Sequence, residues 1–395
     1  MTGDALGKAH VPWGSDGEGV YSATTLGCFS VIDSASAFVI QGAEMVGMTA
    51  KGSARRVVRI ADYGTADGGT SLGLIGRVIT ALRAHVPTLD IEVCYEDQPN
   101  NDWRSLFYHA EGLRPITGLG QNALTAYTKQ HERVYVYACG RSFHVQCFPP
   151  ASVDVGMSFT AMHWLSKKPC NITNGVHSTQ ATGEERESFA KQAAEDWSAI
   201  LTARVAELAP GGRLVIANFA VSPTNEWLGH TKEVKACMYS TFASIWNDMA
   251  KEGLITEAER NDATFINYYR TEAELVQPFQ EGGALSSKES SGVELVSMEF
   301  RKTPCPFRKA WLDFASEQKS NNEEAARKHA AWYIPTLRTW SNSTFLTALN
   351  ESRSMEERQS LVDELYKRYE DLVAQDPAAH GMDYVHAFMV IDKKM

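Results

Sequence analysis

No CxxC pair occurs in this chain, and its seven cysteines (Cys28, Cys94, Cys139, Cys147, Cys170, Cys237 and Cys305) are an odd number. This argues against a disulfide framework or a zinc ribbon. The thiols read as small buried apolar groups in a reducing compartment. The first 30 residues lack a basic segment followed by an apolar one, so no secretory signal is expected. Without that route the sequons at Asn171, Asn342 and Asn350 are chance matches. No stretch approaches the roughly 20 apolar residues of a membrane span. Positive charge is short as well: 48 acids face 38 bases, a formal net charge of −10. Nucleic-acid binding depends on Lys and Arg neutralising phosphates, so a nucleic-acid partner is not expected. The expected setting is cytoplasmic, away from membranes.

What remains is a globular composition, with 44% hydrophobic and 22% charged residues. At about 150 residues per domain, the 395 residues predict two to three domains, or one large domain with an insertion. VVRIADYG (57–64) is a continuous apolar run ending in an acid and a glycine, which reads as a buried parallel strand. A turn, TADGGT, and a helix-spaced segment, TSLGLIGRVITALRAHV, follow it. LDIEVCYED (89–97), VYVYACG (134–140), VDVGMSFTAMHWL (153–165) and RLVIANFAV (213–221) continue the strand pattern. A helix over about 184–208 is expected to stop at a Pro210-Gly211-Gly212 breaker. Strands alternating with helices predict a mostly parallel sheet covered on both faces. A helix-like run is also visible at Phe38–Met48. After residue 231 the pattern turns helical (231–254, 256–262, 271–279, 306–319, 322–340 and 354–374). VELVSMEF (293–300) and YVHAFMVID (384–392) are expected as a hairpin-like strand pair at the sheet edge, and the helices as a cap over the sheet's carboxyl edge.

Asp62 at a strand end, followed by Gly64 and Gly68-Gly69, opens a crevice in which backbone can approach a nucleotide-like ligand. GxGxxG is absent and there is no Walker A lysine. The spacing suits S-adenosylmethionine (SAM), which has no phosphate to be held, better than a pyrophosphate cofactor. An ordinary glycine turn would leave the same residues. Asp97, ending the second strand, can accept two ribose hydroxyls, or be a solvated loop acid beside Glu96 and Asp102. Ser142 and Phe143 place a hydroxyl and a flat ring beyond the third strand, where a purine can stack, although Phe at a strand end is also a common core residue.

Together these segments resemble the SABATH family of SAM-dependent carboxyl methyltransferases, which includes salicylate, jasmonate and benzoate methyltransferases and N-methylating relatives. CGRSFHVQCFPP (139–150) is similar to the family's PGSFYGRLFP, and SVDVGMSFTAMHWLS (152–166) to its SxDxxHSSYSLMWLS. IADYG (60–64), YEDQPNNDW (95–103), PGGRLVI (210–216) and GSDGEGVYSATT (14–25) follow the family order. The resemblance covers about 1–300, and the rest fits in length and helical texture. It implies an α/β fold: a Rossmann-like SAM-dependent methyltransferase sheet with helices on both faces and a helical cap. The implied organisation is an N-terminal segment closing over the cofactor (1–54), a SAM-binding core (55–232), a mainly helical cap with a core strand near 293–300 (233–380), and a final core strand (381–395). A homodimer is implied too.

Position by position, the resemblance assigns Asp62 and Gly64 to the methionine part of SAM, Asp97 and Gln98 to the ribose, and Ser142 and Phe143 to adenine. Tyr21 and Thr25 match residues that close over the cofactor, and Trp164 matches a tryptophan whose indole N–H donates to the substrate carboxylate. Three positions depart on the substrate side: Cys28 replaces a carboxylate-binding glutamine, Thr160 a tyrosine and His163 a methionine. Cys28 is expected as a packed thiol, and His163 as pocket-lining and catalytic with Trp164. The first glycine turn has Gly69-Thr70 in place of the family's PNT, and the family's FNxPxYxPS survives only loosely in FINYYRT (265–271), so no metal is expected. The implied activity is methyl-ester formation on a small carboxylic acid, aromatic or heteroaromatic, with dicarboxylic acids included because the altered wall is more polar. N- or phenolic O-methylation of a small heterocycle and a catalytically silent SAM-fold binding protein remain alternatives.

Overall fold

The computed structural model describes residues 12–14, 16–52, 57–116, 124–286, 292–317 and 323–395. Residues 1–11, Ser15 of the 14–25 motif, and the 318–319 and 322 ends of two expected helices lie outside them. Seven strands form one sheet: β1 (Val57–Tyr63), β2 (Asp90–Asp97), β3 (Val134–Gly140), β4 (Val153–Phe159), β5 (Leu208–Phe219), β6 (Val293–Thr303) and β7 (Tyr384–Lys393). Their order is β3-β2-β1-β4-β5-β7-β6. The first five run parallel, and β7 is antiparallel to both neighbours. The helices are α1 (Val20–Thr24), α2 (Leu26–Lys51), α3 (Leu72–His85), α4 (Trp103–Ala110), α5 (Tyr127–Gln130), α6 (Gly183–Glu207), α7 (Met238–Lys251), α8 (Glu257–Asp262), α9 (Glu272–Val276), α10 (Pro306–Glu317), α11 (Glu323–Ala348) and α12 (Met355–Gln375).

The period-2 alternation of the strands explains why both faces must be covered. Val58 and Ile60 of β1, with Val215 and Ala217 of β5, join a core that holds Val31, Ala35, Val39 and Ala43 of α2. Ala61 and Tyr63, with Leu214 and Ile216, point the other way into a core with Trp197, Ile200 and Leu201 of α6. Every residue of β4 is buried, as a central parallel strand requires. The α2 stripe recurs every four residues and so presents one helical face. By length and composition α2 could cross a membrane, contrary to the expectation from apolar runs; half of its most apolar stretch is buried in this protein.

Several elements differ from expectation. α2 begins at Leu26, not near Phe38, because packing against β4 and β5 extends the helix beyond its most apolar run. The Pro210-Gly211-Gly212 segment does not end in a clean break: it lies within β5, where Gly211 at φ 78 carries a register shift against β4. β7 enters between β5 and β6, so the late pair is antiparallel but not a simple edge hairpin. α11 runs through Pro335 to Ala348, and α7 starts only at Met238. The cap helices share an aromatic core in which Phe242 meets Phe345 at 5.2 Å and Tyr369 at 5.0 Å between ring centres.

Because β2 and β3 lie on one side of β1 and β4 on the other, the strand order reverses between β1 and β4. A crevice opens there at the carboxyl ends of the strands, the usual ligand position in open α/β sheets.

Candidate active site

The crevice is built by the turn after β1. Gly64 has φ 70, and a Cβ there would lie 2.2 Å from the Cβ of Ala161, so only glycine lets the β1 and β4 ends come this close. Asp62 is buried, and its Oδ2 accepts from Ser71 Oγ at 2.6 Å and Thr65 Oγ1 at 3.1 Å, while Oδ1 takes neither bond. Burial pushes its carboxyl up to about 7, against the pull of those hydroxyls. Asp97 accepts the backbone N–H groups of Gln98 and Ala66, both at 2.7 Å, and burial raises it to about 6. Asn101 Nδ2 donates to the Ala66 carbonyl at 2.7 Å and fixes the turn from below. Glu96 is fully buried, its carboxyl pushed up by burial and by Asp97, and its Oε2 accepts the Gly64 N–H at 3.1 Å.

Ser142 and Phe143 follow β3 and complete the crevice wall. Their loop is held by a fully buried pair: Arg204 donates to the Phe143 and Val145 carbonyls, and Glu207 accepts from the Cys147 and Phe148 N–H groups and from Tyr63 Oη. Removing one partner of such a pair costs about 3–5 kcal/mol, since the other charge is left buried alone.

Acids at two strand ends, a ring wall and a turn that admits close backbone approach are the groups a cationic amino acid joined to an adenine nucleoside needs. The sequence-expected cofactor residues lie at the carboxyl ends of three adjacent strands: Asp62 in β1 with Gly64 in the turn after it, Asp97 at the end of β2 with Gln98 next to it, and Ser142 and Phe143 after β3, Phe143 Cε1 lying 3.9 Å from where a Cβ on Gly64 would stand.

The N-terminal segment folds onto it. Gly17 N–H donates to Asp102, the N-cap of α4, and Gly19 N–H donates to Ser105 Oγ. Asp67, buried in the first glycine turn, accepts the Ser22 N–H at 2.8 Å and also bonds the Ser22 hydroxyl. Gly69 makes room for that hydroxyl: a Cβ there would lie 2.3 Å from it. Asp67 and Ser22 were not anticipated from the sequence, where an acid in a glycine turn gives no sign of its partner 45 residues away.

Beside the crevice lies a narrow cavity lined by Tyr21, Thr25, Cys28, Thr160, His163 and Trp164. All four expected substrate residues are therefore brought together. Tyr21 and Thr25, expected at the cofactor, also face this cavity. Tyr21 Oη, Cys28 Sγ and Thr160 Oγ1 converge at 3.8 and 3.9 Å. Burial raises the Cys28 thiol, so it stays protonated. Thr160 adopts φ 58, unusual for a β-branched residue, and this turn directly after β4 is a point of stored strain on the order of 1–3 kcal/mol. His163 is buried in a box of rings, with Trp164, Phe219 and Tyr269 at 5.3, 4.8 and 5.8 Å.

The remaining walls come from distant segments: Phe219 at the end of β5 and Leu228 after it, Asn267 and Tyr269, Trp340 of α11, and Met382 and Tyr384 at β7. Asn267 pairs backbone to backbone with Trp164. Only the loosely matched 265–271 stretch signalled any of these in the sequence. None of the described lining residues is Lys, Arg, Asp or Glu.

Residues 16–394 match the SAM dependent carboxyl methyltransferase family. Among curated relatives, an O-methyltransferase of Aspergillus aculeatus, acrG, is 26% identical over 72% of this chain and 69% of its own length. The jasmonate O-methyltransferase of Arabidopsis thaliana is 28% identical over 55% of this chain, so the match spans only 60% of that relative. The salicylate/benzoate carboxyl methyltransferase of the same plant is 24% identical over 74% and 76%. A solved loganic acid methyltransferase with S-adenosylhomocysteine (SAH) superposes with a TM-score of 0.70 at 18% identity, covering 97% of this chain and 99% of that one, which establishes the shared fold. The chain belongs to the family of SAM-dependent carboxyl methyltransferases.

Proposed function

We propose that this chain esterifies the carboxylate of a small, flat aromatic or heteroaromatic acid, with SAM as methyl donor. The observation that carries the reading is the ring-walled cavity, free of charged side chains among its described residues, whose Thr160, His163 and Trp164 follow β4, the strand that pairs with Asp62 of β1. Flat rings stack well between Trp164, Phe219, Tyr269 and Trp340.

When bound, SAM supplies a methyl group on a positively charged sulfur. Asp62 would hold the methionine ammonium, Asp97 the ribose hydroxyls, and Phe143 would offer its ring to adenine. A carboxylate, with an ordinary pKa near about 4, is already ionised at neutral pH and needs no base. The protein's task is orientation and water exclusion, which lower such a barrier by several kcal/mol. Trp164 donates its indole N–H to the carboxylate, while Tyr21, Thr160 and Cys28 supply the polar rim that the family glutamine would otherwise provide.

Charge balance narrows the substrate. The sulfonium offsets one carboxylate. A second would be buried in a cavity with no Lys or Arg on its described wall, at a cost of several kcal/mol. Of the expected substrate classes, the cavity favours an aromatic or heteroaromatic monoacid over a dicarboxylic acid. Competition between such a monoacid and its dicarboxylic analogue, read as kcat/KM for ester formation, tests this; a faster diacid would refute it. On the family resemblance alone, a homodimer is part of the proposal, and light scattering of the purified chain reads it directly.

A further inference from the structure

His144 carries no role in the reaction as described, yet it spans the two halves of the site. Its Nδ1 lies 2.9 Å from Ser142 Oγ, and its Nε2 lies 3.2 Å from the main-chain oxygen of Trp164. The ring packs against Phe143 at 4.7 Å. A carbonyl oxygen can only accept, so Nε2 must carry the hydrogen. In a neutral imidazole Nδ1 is then an acceptor, and the Ser142 hydroxyl donates its proton to it. Ser142 Oγ also receives the His144 backbone N–H, at 3.4 Å. Its hydrogen is thereby committed inward, and only lone-pair density is left to face the crevice.

We propose that His144 is a positioning residue that fixes the Ser142 hydroxyl as an obligate acceptor, so that the crevice selects a 6-amino purine, and that the same ring ties this choice to the main chain of Trp164 in the acid cavity. The inference rests on the assignment of the crevice to SAM. A 6-oxo purine would bring oxygen lone pairs against those of Ser142.

The surroundings favour the neutral ring. Burial lowers its pKa, and Arg270 and Arg204 act in the same direction, against the pull of Asp196, whose Oδ2 is 3.9 Å from Nε2, and of the Trp164 carbonyl. Asp196 is itself occupied by the Ser166 N–H and hydroxyl and by Gln192 Nε2. A neutral ring at pH 7 is the form that the acceptor role of Nδ1 requires.

The experiment compares dissociation constants of SAH and S-inosylhomocysteine, its 6-oxo analogue, by calorimetry at pH 7.5. The unaltered protein is expected to prefer SAH by about tenfold or more, the range for facing a buried acceptor with another acceptor. His144→Phe frees the Ser142 hydroxyl to turn and donate, and the preference should fall to about twofold or less. His144→Asn, whose side-chain oxygen can stand where Nδ1 stands, should restore most of it while still raising the KM for the acid, since the bond to Trp164 is lost. Ser142→Ala, which leaves the histidine in place, should remove the preference as His144→Phe does and serves if that variant is unstable. SAH binding to all variants with an unmoved ratio overturns the role of His144 and leaves the cofactor assignment intact. Failure of the unaltered protein to bind SAH overturns the cofactor assignment and this inference with it.

Discussion

Asp97→Ala removes the group assigned to the ribose, and its consequences can be worked out from its surroundings. The carboxylate spends both oxygens on backbone N–H groups, of Ala66 and Gln98, and has lone pairs left for two hydroxyls. Loss of hydrogen bonds to an ionised acceptor should weaken SAM binding by about 1–3 kcal/mol, or roughly 5- to 150-fold in Kd. The wild type adds a pH signature. Burial raises Asp97 to about 6 and Asp62 to about 7 in the ligand-free protein, and ligand donors favour the ionised forms. Binding therefore weakens as pH falls through these values, by about tenfold per unit for each group once it is protonated. The stability of the ligand-free protein moves the other way. A carboxyl with a raised folded pKa destabilises fully above that value, and the penalty is relieved as pH falls towards the unfolded value. Calorimetric titration with SAH from pH 8 to 5 reads the first effect, and denaturant unfolding of the ligand-free protein over the same range reads the second. Asp97→Asn should flatten the lower part of the profile and leave the part due to Asp62. An unchanged affinity in Asp97→Ala, or a wild-type profile that does not vary with pH, would refute the assignment.

The other expectations concern the cavity and its closure. Trp164→Phe should raise the acid's KM or lower kcat while SAH affinity stays within about twofold, because the indole N–H is lost and the ring packing is kept; equal turnover of every acid would make Trp164 a core residue. His163→Met should shift relative kcat/KM towards benzoate-like monoacids, since it replaces a polar ring in an aromatic box by an apolar side chain. Asp67→Ser should loosen the N-terminal segment, seen as faster hydrogen exchange over residues 16–25 and a rise in both Kd for SAH and KM for the acid; unchanged exchange would show that the latch is not Asp67. Phe345→Ala should cost about 3–5 kcal/mol of unfolding free energy in a denaturant titration, for a ring fully buried in the cap.

The parts of the site set by local chemistry were legible in the sequence. Asp62, Gly64 and Asp97 sit at strand ends, where period and punctuation announce them, and Trp164 lies in a continuous motif. The far wall was not legible, because Phe219, Trp340 and Tyr384 come together only through sheet order and the docking of α11. The sequence marked Tyr384 as a strand residue but gave no sign that β7 would insert beside β5. Helix α6 ends at Glu207, close to where the Pro-Gly-Gly segment predicts, but the strand starts earlier than expected for a related reason: pairing on the β4 side and the φ of Gly211 absorb 208–212 into β5 as a bulge. Charge partnerships across long separations, such as Asp67 with Ser22 and Arg204 with the Phe143 carbonyl, have no periodic signature at all.

The central claim is that a carboxylate oxygen receives the methyl group. Incubation of the purified chain with trideuteromethyl-labelled SAM and a panel of small aromatic acids, phenols and ring nitrogens, followed by mild alkaline hydrolysis, tests it by mass spectrometry. Methyl esters release labelled methanol and regenerate the acid, whereas aryl ethers and N-methyl groups survive. Label is expected to be released as methanol from a carboxylic acid product. Label retained after hydrolysis, on a phenol or a ring nitrogen, would contradict it.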